Sequence, residues 1–184
     1  MIPREKFDIS QLPHRPNLAF ERALWVQGKR YVAGIDEAGR GALVGPIGVG
    51  AVVLPSDMPE LEDRLCGVYD SKVMSPEARE KWAMEIKQIA LAWGVGFASA
   101  KEIDAIGIVA ATYRAAARAM TKLNCTLEHV LVDYLTLPDL EITQTALIKG
   151  DARSLTIASA SILAKTARDA LLVAMDQDLS LIHI

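Results

Sequence analysis

The chain has 184 residues, of which 51% are hydrophobic and 23% are charged, with a formal net charge of −3. This balance excludes a disordered, highly charged tail protein and predicts one globular domain with a sizeable core. The longest uncharged stretches, Gly41–Ser56 and Ala90–Ala100, are shorter than the roughly 20 apolar residues of a membrane-spanning helix, which excludes a membrane span.

The N-terminal 30 residues are polar and contain three prolines and one short helical pattern, Leu18–Trp25. We interpret residues 1–30 as a leader that packs against a domain beginning at Tyr31. No apolar run follows the first basic residues, so the pattern of a secretory signal is missing. Cys66 and Cys125 have neither metal-ligand spacing nor the density of a disulfide scaffold. Together these features predict a cytoplasmic protein with two buried thiols.

Two β-prone runs, Tyr31–Ile35 and Ile47–Leu54, flank a charged, glycine-rich loop and predict two strands. A helix is predicted next, because Ser75-Pro76 is a typical helix start and apolar residues then recur at helical spacing as far as Trp93. This helix is expected to end near Gly94.

The second half of the chain alternates predicted strands with predicted helices. The strands are Val95–Ser99, Val130–Asp133 and a short run at Ala146–Ile148, and the helices are Ala110–Leu123 and Thr156–Met175. This order predicts an α/β domain over residues 31–178, with a mixed central sheet flanked by helices.

The last six residues, 179–184, end the chain abruptly after the final predicted helix. Their sequence is also what one frame of a common transposon-end sequencing adapter encodes. We interpret them as a non-native tail and expect the native chain to continue beyond this point.

Four acidic residues lie where a predicted strand or apolar run ends: Asp36, Glu37, Asp133 and Asp151. Side chains at strand ends are fixed by the sheet and left accessible by the loops, so they commonly build sites. Carboxylates without a nearby His or Cys favour hard cations such as Mg²⁺ or Mn²⁺. Two such ions about 4 Å apart can activate a water and stabilise a leaving oxygen in phosphodiester hydrolysis. For any single aspartate, a turn or a helix cap is the alternative role.

The segment Gly39-Arg40-Gly41 follows the first two acids. It offers unobstructed backbone amides and a guanidinium to a sugar-phosphate backbone, although a plain tight turn has the same pattern. Neighbouring residues of a regular strand face opposite sides, so Asp36 and Glu37 can share one metal only if the strand breaks here.

Three further polar residues are candidate phosphate contacts. Lys72 precedes the predicted helix start and either binds a phosphate or is solvated. Ser161 and Lys165 lie four residues apart and therefore on one helix face, where a structural role is the alternative.

These motifs resemble those of ribonuclease HII, the type 2 ribonuclease H. The matching segments occur in the family's order and are Gly34–Gly41, Asp70–Lys72, Glu102–Asp104 with Ile108–Thr112, Val130–Asp133, Lys149–Asp151, and Ile157–Lys165 with Arg168-Asp169. The resemblance therefore covers most of the chain, from about Tyr31 to Met175.

The resemblance implies a ribonuclease-H-like fold and an endoribonuclease that uses Mg²⁺ or Mn²⁺. The expected partners are RNA–DNA hybrids, whose RNA strand is hydrolysed, and DNA duplexes, which are nicked on the 5′ side of embedded ribonucleotides. The products would carry 3′-hydroxyl and 5′-phosphate ends. A monomer that acts in ribonucleotide excision repair, with no membrane partner, is expected.

Carried onto this chain, the resemblance makes Asp36, Glu37 and Asp133 the metal ligands and Asp151 the fourth catalytic acid. The glycine-rich loop would sense the 2′-hydroxyl that distinguishes RNA from DNA. The implied substrate-binding and supporting residues are Gly39, Arg40, Gly41, Lys72, Ser161 and Lys165.

Two departures from the family pattern stand out. Tyr134 occupies the position after the third acid, where the family usually has glycine. The family also continues past the long helix into a segment with a substrate-stacking tyrosine and further helices, so we expect this chain to be truncated at its C-terminus. Two alternatives stay open: a non-catalytic module that binds hybrids, and another two-metal nuclease of the same fold superfamily.

Overall fold

The fold is a five-stranded sheet with α-helices on both faces. The computed structural model describes residues 8, 10, 12–134, 136–138 and 140–179, with the backbone only for residues 177–179. The strands are β1 (Val32–Ala38), β2 (Ile47–Val53), β3 (Ala92–Ala98), β4 (His129–Asp133) and β5 (Gln144–Leu147). The helices are α1 (Ala19–Val26), α2 (Leu61–Arg64), α3 (Pro76–Ile89), α4 (Ala100–Ile106), α5 (Ile108–Thr121) and α6 (Leu155–Leu179). The predicted tail lies outside the described residues except for the backbone of Leu179.

The sheet is mixed, as the sequence predicts, with strand order β3-β2-β1-β4-β5. β1 pairs antiparallel with β2, and β2 pairs antiparallel with β3. β1 pairs parallel with β4, and β4 pairs parallel with β5. β1 and β4 therefore end at the same edge of the sheet, which brings Asp36 and Asp133 close together.

Helices cover the two faces of the sheet unequally. α6 packs on β1 and β2 from one side, and α3 packs against α6. α5 packs on β2 and β3 from the other side through a run of buried alanines. Two apolar clusters result, one on each face of the sheet, and strand β2 is buried along its whole length.

Two glycines allow α6 to lie unusually close to the sheet. A Cβ on Gly34 would lie 2.4 Å from the backbone carbon of Thr156, and a Cβ on Gly50 would lie 2.1 Å from the carbonyl oxygen of Ala160. Backbone atoms cannot move aside as a flexible side chain can. Glycine at these positions therefore allows α6 to lie close to β1, which carries Asp36, and to β2.

The predicted helix end near Gly94 is wrong. α3 ends at Ile89, because Ala90 has an extended backbone with φ −61° and ψ 138°, and Trp93 lies in the edge strand β3. The predicted burial of both thiols is also wrong, since Cys66 is exposed and Cys125 is only half-buried.

The described residues of the predicted leader pack against the rest of the fold. Leu18 is buried in the apolar cluster on the α6 side of the sheet, and Phe20, Leu24 and Trp25 pack against a smaller cluster that includes Ile157. In the described part of the chain, no helix combines the length and hydrophobicity needed to cross a membrane.

Candidate active site

Three carboxylates meet near the C-terminal ends of the neighbouring strands β1 and β4. Asp36, Asp133 and Asp151 each offer an oxygen atom, and these oxygens lie within 4.8 Å of one another. Asp36 comes from β1, Asp133 ends β4, and Asp151 lies in a short 3₁₀ turn, Gly150–Ala152, between β5 and α6. The sheet and the turn thus bring together three acids separated by up to 115 positions, from Asp36 to Asp151.

Burial makes the charged form of this cluster costly. Asp36 is 3% exposed, and burial, followed by the neighbouring charges of Asp133 and Glu37, raises its pKa well above the usual value. Burial also raises the pKa of Asp133 to about 6, and the charges of Asp151 and Glu37 act in the same direction. The Gly150 amide donates a hydrogen bond of 2.7 Å to Asp133 Oδ1, which opposes part of that shift.

Glu37 is not a member of this three-carboxylate group among the described residues. The strand break that would let it join Asp36 is not found, because β1 continues regularly to Ala38. Asp36 therefore faces α6 while Glu37 faces the other side of the strand, where its carboxylate lies 3.7 Å from Arg40. Burial raises the pKa of Glu37, and Arg40 and Lys72 partly offset the shift. Its predicted role as a metal ligand stays a prediction.

Lys72 covers Asp151. Its ammonium lies 3.2 Å from Asp151 Oδ2, and the lysine side chain is 65% exposed whereas the aspartate side chain is 10% exposed. Burial lowers the pKa of Lys72, but the carboxylates of Asp151, Asp36 and Asp70 outweigh that effect and raise the pKa overall. The lysine supplies positive charge to the cluster and can turn toward solvent.

Ser161 and Lys165 occupy different depths of the same α6 face. Ser161 is buried beside Asp36 and shares a 2.8 Å hydrogen bond with the hydroxyl of Ser71. Lys165 lines the cleft, and its ammonium lies 2.6 Å from Asp169 Oδ1. The buried position of Ser161 is that of a supporting residue, and the predicted phosphate contacts stay predictions.

The glycine-rich loop between β1 and β2, which contains Gly39-Arg40-Gly41, borders the cluster. Arg168 holds the far end of this loop through two hydrogen bonds. Arg168 Nε donates to the carbonyl of Pro46 at 2.9 Å, and Nη2 donates to that of Val44 at 2.8 Å. A Cβ on Gly39, which has φ +100°, would lie 2.2 Å from Arg168 Nε. Sequence reasoning did not assign Arg168 to the site, although Ser161, Lys165 and Arg168 have the i, i+4, i+7 spacing of one helix face.

Tyr134 lies directly after β4 and is half exposed. Its φ of +64° is in the left-handed region that favours glycine, and its amide donates to the carbonyl of Leu147 at 2.9 Å. The backbone at this position is therefore one that tyrosine adopts less readily than the glycine expected from the resemblance.

These groups surround an open cleft of about 460 Å³. Its lining residues are Asp36, Glu37, Ala38, Gly39, Arg40, Gly41, Ala42, Ser71, Lys72, Asp133, Lys165 and Arg168. Of the predicted site residues, only Asp151 and Ser161 are not among those that line this cleft. Asp151 is paired with Lys72, and Ser161 is buried beside Asp36.

The donor set fits a hard divalent cation. All three clustered groups are carboxylates, and Asp36 Oδ2 is buried without a hydrogen-bond partner among the described residues. Buried polar atoms are normally paired, so an unpaired carboxylate oxygen on a member of this cluster favours a cation at the site. Asp36, Asp133 and Asp151 are the residues that would hold it.

Comparisons with known proteins identify the family of this chain. The family model for ribonuclease HII matches residues 33–181. The chain is 49% identical over 162 residues to ribonuclease HII of Synechococcus sp. (strain JA-3-3Ab), covering 88% of this chain and 72% of that protein. It is also 49% identical over 158 residues to ribonuclease HII of Moorella thermoacetica, covering 86% of this chain and 74% of the relative.

Solved structures show the same architecture. Ribonuclease H2 of Pyrococcus horikoshii OT3 superposes with a TM-score of 0.67 at 29% identity, covering 82% of this chain and 77% of that one. A ribonuclease HIII structure solved with Mn²⁺ gives a TM-score of 0.68 at 21% identity, covering 82% of this chain and 56% of that one, and shows likeness of fold alone. The sheet with its flanking helices is a ribonuclease-H-type fold, and this chain belongs to the ribonuclease HII family of metal-dependent ribonucleases.

Proposed function

We propose that this ribonuclease H hydrolyses the RNA strand of RNA–DNA hybrids and also nicks duplex DNA on the 5′ side of single embedded ribonucleotides. The observation that carries the proposal is the group of three carboxylates whose oxygens lie within 4.8 Å, directly beside the glycine-rich loop. Acids that bind cations and a backbone that can approach a sugar are the two elements that such a reaction requires.

The acidic cluster is proposed to hold two divalent ions, Mg²⁺ or Mn²⁺, through Asp36, Asp133 and Asp151, with Glu37 as a further ligand. When bound, the ions would supply activation of the attacking water and stabilisation of the leaving 3′ oxygen. The protein contributes a fixed arrangement of acids in a cleft where charges interact strongly. The pKa of Asp36 is raised well above its ordinary value and that of Asp133 to about 6, so cation binding is proposed to strengthen as the pH rises and these acids lose their protons.

Selection of a ribonucleotide is proposed for the loop Gly39-Arg40-Gly41. The amide of Ala42 donates to the carbonyl of Gly39 at 3.1 Å, so the loop is a tight turn whose glycines have no side chain to hold a sugar away. A 2′-hydroxyl is both a donor and an acceptor, which lets backbone groups recognise it. Arg40, Lys72 and Lys165 place positive charge around the same cleft for phosphates.

The test is a nicking assay on a DNA duplex that contains one ribonucleotide, in Mg²⁺ and then in Mn²⁺. Asp36→Asn and Asp133→Asn should abolish nicking while the circular dichroism spectrum is unchanged. Asp57→Asn, which changes an exposed carboxylate on a loop, is the matched control and should nick as the wild type does. Undiminished nicking by either site variant would refute the proposed site.

Two further substrates separate the alternatives. An all-DNA duplex should be left intact, and equal cleavage of it would identify another nuclease of the same fold. A long RNA–DNA hybrid should be cut, and binding of the hybrid without cleavage would identify a binding module.

A further inference from the structure

Helix α1 carries a buried carboxyl group, that of Glu21, which lies outside the matched family region of residues 33–181. Glu21 is 0% exposed, and burial raises its pKa above the ordinary value. Glu21 Oε1 accepts a hydrogen bond of 2.5 Å from the Ser154 hydroxyl and one of 3.0 Å from the amide of Thr156. Burying a carboxyl group lowers the free energy of unfolding unless its contacts compensate. The two contacts at the start of α6 therefore suggest where Glu21 acts.

Those contacts lead directly to the carboxylate cluster. The amide of Ser154 donates to the carbonyl of Gly150 at 2.8 Å, which closes the turn that contains Asp151. The amide of Gly150 in turn donates to Asp133 Oδ1 at 2.7 Å. Glu21 is therefore joined to Asp133 through Ser154 and Gly150, and the same turn fixes Asp151.

The start of α6 depends on the same hydroxyl. Ser154 Oγ accepts a hydrogen bond from the amide of Ile157 at 3.1 Å while its proton is donated to Glu21. Thr156 donates its amide to Glu21, so two of the amide groups at this helix start are satisfied by side chains. Glu21 thereby fixes both the hydroxyl rotamer of Ser154 and the direction in which the turn enters α6.

The backbone beside α1 holds the same turn from a second side. The amide of Asn17 donates to the carbonyl of Arg153 at 3.2 Å, and the amide of Leu155 donates to the carbonyl of Asn17 at 2.9 Å. Leu18 is anchored separately, because its amide donates to Glu62 at 2.8 Å. Helix α1 is thus positioned by contacts other than Glu21, which leaves the Glu21 carboxyl to act on the turn.

We propose that Glu21 is a positioning residue for the metal site: from helix α1 it holds the Gly150–Ser154 turn in the form that places Asp151, and the amide that binds Asp133, for cation binding. The inference rests on the proposed function, because it takes Asp36, Asp133 and Asp151 to be cation ligands. Three acids that repel one another separate unless the backbone holds them. Groups that orient ligands in this way tune metal affinity even though they do not touch the ion.

A purely structural role for Glu21 makes a different prediction, namely lost stability with unchanged cation affinity. The test therefore compares Glu21→Leu, Glu21→Gln and Leu61→Ala, a fully buried core residue on α2. Mn²⁺ binding is measured without substrate, from the free-ion signal in electron paramagnetic resonance, and thermal unfolding is measured in EDTA. Nicking of the ribonucleotide duplex is followed separately.

We expect Glu21→Leu to weaken Mn²⁺ binding about 10-fold, the lower end of the effect of removing a group bonded directly to a metal ligand, because Glu21 acts through Ser154 and Gly150. Glu21→Gln keeps an oxygen that can accept both hydrogen bonds and should retain most of the affinity. Leu61→Ala should lower the unfolding temperature and leave Mn²⁺ affinity unchanged.

Wild-type affinity in folded Glu21→Leu, or an equal loss in Leu61→Ala, would overturn the proposal. If Glu21→Leu does not fold, Ser154→Ala removes the same contact from the other side and should weaken Mn²⁺ binding; unchanged binding would overturn the proposal equally. A wild-type chain that binds Mn²⁺ without nicking would refute the proposed function alone, since the affinities of the variants still decide the role of Glu21.

Discussion

Replacement of Asp133 by asparagine should stabilise the metal-free protein while it removes activity. The pKa of Asp133 is raised from an ordinary 3.8 to about 6, mainly by burial. Because its pKa is higher in the folded than in the unfolded state, the free energy of unfolding falls as the pH rises from about 4 to about 6 and the carboxyl group loses its proton. At 1.36 kcal/mol for each pKa unit, the ionised carboxylate costs the folded state about 3 kcal/mol above this range.

Asparagine removes the charge and keeps the shape. Its Oδ1 can still accept the hydrogen bond from the Gly150 amide, so the turn keeps its contact with β4. For a domain of this size, 1 kcal/mol corresponds to a change in Tm of about 2–4 °C, so a gain of about 6–12 °C is expected in EDTA at pH 7.5. At pH 4, where the wild-type carboxyl is protonated in the folded state, the two proteins should unfold at nearly the same temperature.

The assay is thermal unfolding followed by circular dichroism between pH 4 and pH 8, in EDTA and then in Mg²⁺ or Mn²⁺. Asp57→Asn is the control for a carboxylate lost from the exposed surface. Cations should raise the Tm of the wild type and have little effect on Asp133→Asn. An Asp133→Asn protein that is no more stable than wild type at pH 7.5, or equally more stable at both pH values, would refute this reasoning.

Two glycine substitutions test the geometry around the site. Gly39→Ala forces a methyl group against Arg168 Nε at 2.2 Å in a backbone with φ +100°. Nicking should fall well below wild type, and the free energy of unfolding in urea should fall by about 1 kcal/mol or more because of the strained backbone. A wild-type kcat/KM would contradict the fixed position of the loop. Gly50→Ala places a methyl group 2.1 Å from the carbonyl oxygen of Ala160. It should lower the free energy of unfolding in urea by about 1–3 kcal/mol or more, and an unchanged value would contradict the close packing of α6 on the sheet.

The strands and the long helices could be predicted from the sequence, because the spacing of apolar residues shows whether a helix or strand buries one of its faces or both. The prediction failed at the end of α3, since apolar spacing continues across the boundary as far as Trp93. Beyond Ala90 the chain joins the sheet instead: the amide of Leu91 donates to the carbonyl of Val53 at 2.9 Å, and Ala92 pairs with Val53 in β2. Helix α4 was missed although its N-terminal capping box, Ser99 with Glu102, is readable in the sequence.

For the site, the sequence could place acids at strand ends but could not say which of them meet. The meeting of Asp36 with Asp133 follows from the parallel pairing of β1 with β4, and that of Asp151 from the turn before α6. The regular course of β1 puts Asp36 and Glu37 on opposite faces of the strand, so Glu37 lines the same cleft without joining the three-carboxylate group. Arg168 belongs to a segment that matches the family but was given no role in the site, because its main contacts are with loop carbonyls more than 120 positions away.

Helix α6 connects all parts of the proposed site. Its start is tied to Glu21 and to the turn of Asp151, Ser161 lies beside Asp36, and Arg168 donates to two carbonyls of the loop between β1 and β2. Because Gly34 and Gly50 let this helix rest directly on β1 and β2, we expect a shift of α6 to move the acids and the loop together. Such rigidity holds like charges close before any cation arrives, which lowers the stability of the metal-free protein and lowers the cost of organising the ligands when cations bind. The same contacts should therefore determine both how strongly cations stabilise the fold and how well the cleft distinguishes a ribonucleotide.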